Sequence, residues 1–498
     1  MAEEAEKSAQ YKSIFKATSI FGGVQVFNIL ITLIRGKAVA LLIGTTGMGL
    51  NGLFLSGINL IKTITSLGLS ESAVRDLSKA HASGDEQKMR LTFTVFERWI
   101  WITALLGIFI TVVFSSLLSR FSFNNTSHTW SYIALSSTFI FAALMGGIYT
   151  MLRGTRQLKY LAQANVLGSI AGLLVALPIF YLWGMSGVVP AIIASAFATY
   201  LVSLYFKSKI QIQNIAVTWR QTIDLGMPMV KLGLSLTVVN LLASAVAFVL
   251  NGYISKTGNL SEVGLYNAGL AIVDGYVGMV FTAMSTDYFP RLSAQIHDDK
   301  QWRSVVNQQA ELVLIILGIV LVLLISTTPI LIRLLLSKSF LPAQDFIFWA
   351  VLAIPLKGLV WVLGFIILAK GDNKLFLTIE IVANALLLVF NLFFYTWYGI
   401  DGLGVSMLVS YSVFIIMMIS VLKAKYNFNF EKQVYILLAK GMLPLGLCMI
   451  CIYTLGYPNA YFIEAIIVAL TLWMFYHELN RRMNIKGILT QLKAKISG

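Results

Sequence analysis

Of the 498 residues, 58% are hydrophobic and 12% charged; a water-soluble domain carries about 25% charged residues, so the composition excludes one. The formal net charge of +15 invites a nucleic-acid partner, but no basic domain gathers it into a footprint, which excludes nucleic acid too. His81, His128, His297 and His477 form no metal-spaced cluster, and nothing in the chain implies a metal, a bound cofactor or a catalytic constellation.

Apolar stretches of the roughly 20 residues that cross about 30 Å of hydrocarbon recur along the whole length. They run continuously, without strand alternation, and so select helices over a barrel. Met1 to Lys12 is polar and lacks a signal-peptide cleavage pattern, so the first helix is expected to be retained. Fourteen spans are predicted, at 14–43, 48–74, 92–118, 130–152, 161–183, 187–206, 230–254, 263–289, 308–335, 346–369, 375–398, 402–422, 438–456 and 460–478. The first is longer than a bilayer requires, so it should tilt, project or bend, with Gly22-Gly23 the candidate hinge.

Of the 37 Lys and Arg residues, 29 lie in or beside the segments on one side, and of the remaining eight Arg35, Lys37, Lys62 and Lys357 fall within spans. Only Arg120, Lys256, Arg333 and Lys338 fall in alternate loops, and all the others lie on the opposite side. This positive-inside bias predicts both termini in the cytoplasm. The longest outer loop, around Phe121 to Thr129, is too short for a catalytic domain. Asn124-Asn125-Thr126 within it fits a glycosylation sequon, which matters only in a secretory pathway. The two cysteines, Cys448 and Cys451, read C-x-x-C inside an apolar helix and are expected to be core thiols.

A shift of 215 residues superimposes the two halves of the chain. Met48-Gly49-Leu50 meets Val263-Gly264-Leu265, Leu77-Ser78 meets Leu292-Ser293, and Lys159 meets Lys374. The turn Gly184-Met185-Ser186-Gly187 meets Gly399-Ile400-Asp401-Gly402. Six helices per repeat is an even number, so both copies share one orientation, as in the parallel repeats of transporters. The expected fold is all-α and membrane-integral: two six-helix lobes (1–210 and 211–425) related by a parallel pseudo-two-fold repeat, facing each other across a central cavity. Two extra C-terminal transmembrane helices and a basic cytoplasmic tail (426–498) complete it.

Several predicted helices carry polar residues at steps of three, four and seven, which place them on one face. These are Gln25, Asn28, Thr32 and Arg35; Ser56, Asn59, Lys62 and Ser66; Asn267, Asp274 and Thr282; and Glu380, Asn384 and Asn391. A charge inside a span costs at least about 2.5–3.5 kcal/mol on insertion scales, so such residues face a wet cavity or a partner. Lys62 could pair with Asp274 or Glu380 to hold the bundle, and Arg35 and Lys37 could reach for the outer head groups. Glu71, Arg75, Asp76, Glu97, Arg98, Asp287 and Arg291, at helix ends, read as interfacial pairs. Together, Arg35, Lys37, Lys62 and Lys357 make a cationic cavity suited to an anion such as pyrophosphate, with Asp274 and Glu380 as charge-balancing or ion-coupling carboxylates.

The stretch Glu262-Val263-Gly264-Leu265-Tyr266, through Asp274 to Pro290-Arg291-Leu292-Ser293, resembles the seventh-to-eighth-helix region of Wzx-type flippases. So does Leu334-Leu335-Leu336-Ser337-Lys338-Ser339-Phe340, followed by Asp345, Trp349, Lys357 and Ala369-Lys370. Gly36-Lys37 with Gly44, Gly47 and Gly49 resembles the end of their first helix. The resemblance covers residues 12–425, falls within the polysaccharide transporter group of the MOP superfamily, and is nearest to its lipid III and O-antigen flippase branch. It implies a polyprenyl-pyrophosphate-linked oligosaccharide moved from the cytoplasmic to the periplasmic leaflet of a bacterial inner membrane by alternating access, with ion coupling. Membrane lipids and other polysaccharide-assembly proteins are the implied partners. By position, Lys37, Asp274, Lys357 and Glu380 match family residues, whereas Lys62 rests on the cavity argument alone. The helices at 438–478 depart from that branch.

Two alternatives compete. A cation-coupled multidrug exporter of the MATE kind should favour acidic and aromatic groups over lysine and arginine in its cavity, because its substrates are cationic. A membrane-embedded enzyme of polysaccharide assembly would need a larger exposed loop than this chain has.

Overall fold

The computed structural model describes residues 2–210 and 214–483, with side chains of the first helix from Ile31 onward. Gln25, Asn28 and the tail lysines Lys486, Lys493 and Lys495 lie outside what it describes. The order is α1 (Ala2–Thr65), α2 (Leu69–Ala82), α3 (Glu86–Phe123), α4 (Thr129–Leu135), α5 (Thr138–Gly154), α6 (Leu158–Trp183), α7 (Val188–Lys207) and α8 (Trp219–Thr257), then α9 (Leu260–Gln295), α10 (Asp299–Leu335), α11 (Gln344–Ala369), α12 (Asn373–Tyr426), α13 (Lys432–Leu455) and α14 (Ala460–Met483). No strand occurs among the described residues. Eleven helical stretches among them are long and apolar enough to cross a membrane. Three of these, Ile31–Thr65, Leu158–Lys207 and Asn373–Tyr426, each join two of the spans predicted from sequence. The chain is an all-helical, multi-pass membrane protein. Phe109, Leu174, Phe462 and Trp473 are each more than 60% exposed, a costly surface in water and a fitting one against lipid tails.

The chain divides into two compact units, Met1–Gly264 and Leu265–Gly498. The boundary expected from the repeat, at 210/211, follows sequence register; the units follow packing. Helix α8 belongs with the first unit because it packs on α1, α2 and α3, where the Trp99 indole donates to the Thr222 carbonyl at 2.9 Å. The first unit holds one core of Leu50, Phe54, Ile58, Tyr132 and Phe180 and another of Leu69, Leu77, Phe93, Phe96 and Met151. In the second unit α11 is almost wholly enclosed. Helix α14 docks on α10 by setting the fully buried Phe475 against Gly318, where a Cβ would come within 2.2 Å of the ring.

Some helix breaks fall at glycines with positive φ, and two turns carry the same backbone 215 residues apart. Gly184 has φ 53°, ψ −128° and Gly399 has φ 58°, ψ −139°, a region open mainly to glycine. In the turns that precede α6 and α12, Arg156 and Gly371 both take positive φ. The amide bonds Gln157 to Leu152 and Asp372 to Ile367 recur in the same register. In α1 the non-helical residue is Gly44 (φ 64°), which corrects the hinge expected at Gly22-Gly23. The span expected at 48–74 is also interrupted: α1 ends at Thr65, and Leu67 and Gly68 take positive φ before α2 starts. Here Gly68 lies against the backbone of Gly233 in α8, leaving no room for a Cβ.

Gly49 of α1 and Gly264 of α9 meet backbone to backbone. A Cβ on Gly49 would lie 1.8 Å from the Leu260 carbonyl oxygen, and one on Gly264 would lie 2.0 Å from that of Thr45. A shift of 215 maps this contact onto itself. The Ser261 hydroxyl seals it by donating to Thr45 Oγ1 at 2.7 Å. Small residues permit such approaches between membrane helices. Gly264→Ala is therefore expected to destabilise the protein by about 1–3 kcal/mol through overpacking, read as a lower midpoint in thermal unfolding in detergent. Gly36→Ala, whose Cβ would meet nothing within 4 Å, is the control. Equal midpoints for the two variants would refute the crossing.

Candidate functional site: cations and carboxylates within the helices

Helix α11 brings one charge into an apolar interior. Lys357 sits between buried Leu356 and Gly358, two residues after Pro355, on a helix whose other charge, Asp345, is in its first turn. Its ammonium lies 3.4 Å from Asp274 Oδ1 of α9. The lysine side chain is 29% exposed and the aspartate 58%, so the pair is covered on the lysine side and open on the other. Tyr266 and Tyr411 are within electrostatic reach of it. At an effective dielectric of about 20 a contact of this length is worth at most roughly 5 kcal/mol, and much less here because the aspartate is more than half exposed. That suffices to hold a lysine within a span, and is weak enough to yield to an anion carrying more charge than one carboxylate.

Lys62 belongs to the first unit and the Lys357–Asp274 pair to the second. Lys62 lies in the last turn of α1, where the helix dipole favours a cation. It is exposed and has no ion pair among the described residues. It lines a pocket of about 190 Å³ together with Thr65, Ser66, Thr103, Phe96 and Phe139. Arg35 is half-buried in α1 and likewise has no ion pair among the described residues. Between it and the half-buried Lys37, the surroundings of Gly36 are open.

The remaining polar stripe divides by role. Glu380 of α12 is half-buried, and no described group bonds its carboxylate, although its carbonyl accepts from the Asn384 amide at 2.9 Å. Asn391, expected on the same wet face, is 3% exposed and accepts a hydrogen bond from the Ser406 hydroxyl. It ties together the two halves of α12 on either side of Gly399. Ser56 is also buried and bonded to its own helix. Both residues are structural.

The helix-end charges pair as expected: Glu71 with Arg153 at 3.5 Å, Asp76 with Arg75 at 2.9 Å, Glu97 with Lys207 at 2.7 Å and Asp287 with Arg291 at 3.6 Å. Arg98 instead donates to the Thr222 hydroxyl at 2.9 Å and lies over the Trp219 ring. Asp372, in the turn before α12, caps that helix and accepts from Lys425 and from the Tyr426 hydroxyl. The lysine contact is the main reason its carboxyl is held below the ordinary aspartate range. Cys448 is buried with its thiol 3.8 Å from the Ser326 hydroxyl, and Cys451 is half-buried. No group of three or more His, Cys, Asp or Glu able to hold a metal occurs among the described residues.

A family model described as "Polysaccharide biosynthesis protein" matches residues 14–296, more than half of the chain. The chain belongs to this family. As a member of the polysaccharide biosynthesis family it is similar to the "Lipid III flippase" of Escherichia coli (strain K12), with 21% identity over 77% of this chain and 91% of that protein. It is equally similar to its namesake in Shigella flexneri. Among solved structures the fold is like that of "Lipid II flippase MurJ, inward closed conformation", with TM-score 0.68 and 14% identity, covering 94% of this chain and 99% of that one. It is also like that of an inward-facing "multidrug resistance MATE family transporter of the MOP superfamily", with TM-score 0.62 and 14% identity, covering 81% and 96%. These likenesses show that the chain shares the fold of these transporters.

Two groups of charges in this family member are not anticipated by the sequence pattern of cations. Glu464 of α14 is 1% exposed, and Glu311, Lys440, Glu478 and Arg482 form a network joining α10, α13 and α14. The signal was present, since Glu464 is an ionisable residue inside the last predicted span and such a residue is a candidate site by position alone.

Proposed function

We propose that this chain is a flippase. It carries a polyprenyl-pyrophosphate-linked oligosaccharide, an O-antigen unit or similar surface-polysaccharide precursor, from the cytoplasmic to the periplasmic leaflet of the bacterial inner membrane by alternating access. The observation that carries this reading is the Lys357–Asp274 pair, a cation held by a partly exposed carboxylate inside an apolar helix bundle, in a family whose relatives include lipid III flippases. Pyrophosphate cannot cross hydrocarbon uncompensated, because desolvating an ionised group costs tens of kcal/mol in the Born limit. Lys357, with Arg35, Lys37 and Lys62, would bind it, while the lipid tail stays in the bilayer. Asp274 is released when the anion takes its lysine, and with Glu380 it would couple the cycle to a proton or another cation. Recurrence of the turns at a 215-residue shift supports two repeated lobes, and the positive-inside pattern supports cytoplasmic termini.

The test is reconstitution in liposomes with a short polyprenyl-pyrophosphate oligosaccharide. Translocation is expected, driven by a pH gradient that loses its effect in Asp274→Asn and Glu380→Gln. Gradient-driven rates unchanged in both variants would remove the coupling role. No translocation of any lipid-linked sugar, together with efflux of a cationic dye, would give the chain to the multidrug-exporter reading that its MATE-like fold keeps open.

A further inference from the structure

Glu464 lies one turn into α14 and is 1% exposed. Neither of its carboxylate oxygens has a hydrogen-bond partner among the described residues, and the Tyr457 hydroxyl, in the turn between α13 and α14, is buried and unpartnered as well. The groups around it come from every packed element. Cys448 of α13, Tyr457 and Tyr461 are within electrostatic reach of it; behind them, Cys448 meets Ser326 of α10 and Cys451, and Tyr461 meets Arg333 near the end of α10. Asp345 of α11 reaches Tyr457 electrostatically and is itself bonded by the Tyr453 hydroxyl at 3.0 Å. Arg333 is the one cation of this set. It is exposed, makes no ion pair among the described residues, and lines a pocket of about 430 Å³ with Gln344, Tyr457 and Tyr461.

An ionised carboxylate without a donor in such a place would carry an unrecovered desolvation cost, and buried groups in that position neutralise instead. A neutral carboxylic acid needs one acceptor for its proton, and the unpartnered Tyr457 oxygen, within electrostatic reach of Glu464, is a group of that kind. We propose that Glu464 is a proton-binding site in the C-terminal helix pair, protonated in the conformation seen here and exchanging its proton through the pocket lined by Arg333, Tyr457 and Tyr461. On ionisation the two tyrosine hydroxyls, both within electrostatic reach of Glu464, are the available donors. A metal cation is the poorer ligand, because one carboxylate and a hydroxyl fall far short of the six or so oxygens that hard cations gather.

The site does not depend on what the chain transports, so its test is a binding measurement. Infrared difference spectra of the full chain in lipid nanodiscs, taken between neutral and alkaline pH, are expected to show a carboxylic-acid carbonyl band that Glu464→Gln deletes. Proton release in the same pH step should be smaller by one per chain in Glu464→Gln than in wild type. Tyr457→Phe should shift the band without deleting it. Because Glu464→Gln puts a neutral amide where a neutral acid of the same shape stood, the variant's melting midpoint at neutral pH should match wild type. A spectrum unchanged in Glu464→Gln would overturn the proposal. So would loss of the band on adding sodium at fixed pH, which would make this a cation site. A Glu464→Gln midpoint well below wild type would mean an ionised, partnered glutamate and would overturn it equally.

Discussion

Lys357→Ala is expected to slow translocation of the lipid-linked oligosaccharide by about tenfold to a hundredfold while leaving the protein folded. A charge-assisted hydrogen bond to a phosphate oxygen contributes about 1.5–3 kcal/mol, and at about 1.4 kcal/mol per decade that becomes the stated range. The variant leaves Asp274 without its lysine, but an aspartate side chain 58% exposed can be hydrated, so the cost to folding is under about 1 kcal/mol. Lys357→Arg keeps the charge while changing its reach, and is expected to retain most of the rate. Asp274→Asn separates substrate binding from charge balance: it frees the lysine and should tighten substrate binding while disturbing release. Translocation by Lys357→Ala at the wild-type rate would move the anion site to Arg35, Lys37 and Lys62, and would leave the Lys357–Asp274 pair as a bundle-holding contact.

What could be read from the sequence follows from which forces act locally. Hydrophobic run length located helices because the bilayer sets a fixed span, and the turn glycines announced the breaks at Gly184 and Gly399 because few other residues adopt their backbone. The break after Thr65 was missed because Leu67 takes a positive φ without any sequence signature; the close approach of Gly233 in α8 holds the turn. Gly44 rather than Gly22-Gly23 bends α1 for a related reason: a glycine pair permits a bend, and only packing decides where one occurs. Helical periodicity put Asn391 on a face with Glu380, but could not show that Ser406, across the Gly399 turn, returns to satisfy it. The same limit applied to Asp274, whose partner lies 83 residues away on α11, where spacing along one helix gives no information. The surroundings of Glu464 and of the network of Glu311, Lys440, Glu478 and Arg482 are illegible for the same reason: they come from α10 and α13, far away in sequence.

Arg482→Ala is expected to give the largest loss of stability of any single charge substitution. The guanidinium bonds Glu311 of α10 at 2.7 Å and Glu478 of its own helix at 2.5 Å, and also donates to the Glu478 carbonyl at 2.9 Å. Lys440 of α13 completes the cluster, 2.6 Å from the other Glu478 oxygen. Three helices therefore meet on one arginine whose side chain is only 18% exposed. Removing it strands Glu311, 16% exposed, with no other ion pair among the described residues, while Glu478 keeps Lys440. Taking one partner from a buried pair costs about 3–5 kcal/mol, and the partial exposure here argues for about 3. The readout is thermal or denaturant unfolding in detergent, with early proteolysis at the α13–α14 turn as a sign that the helix pair has loosened from α10. The double variant Glu311→Gln with Arg482→Met removes both charges, and should lose less than the sum of the two single variants, since part of each single cost is the orphaned partner. If Arg482→Ala unfolded with wild type, or if the double variant were strictly additive, the network would be a solvated surface feature. The docking of α14 on α10 would then rest on Phe475 and Gly318 alone.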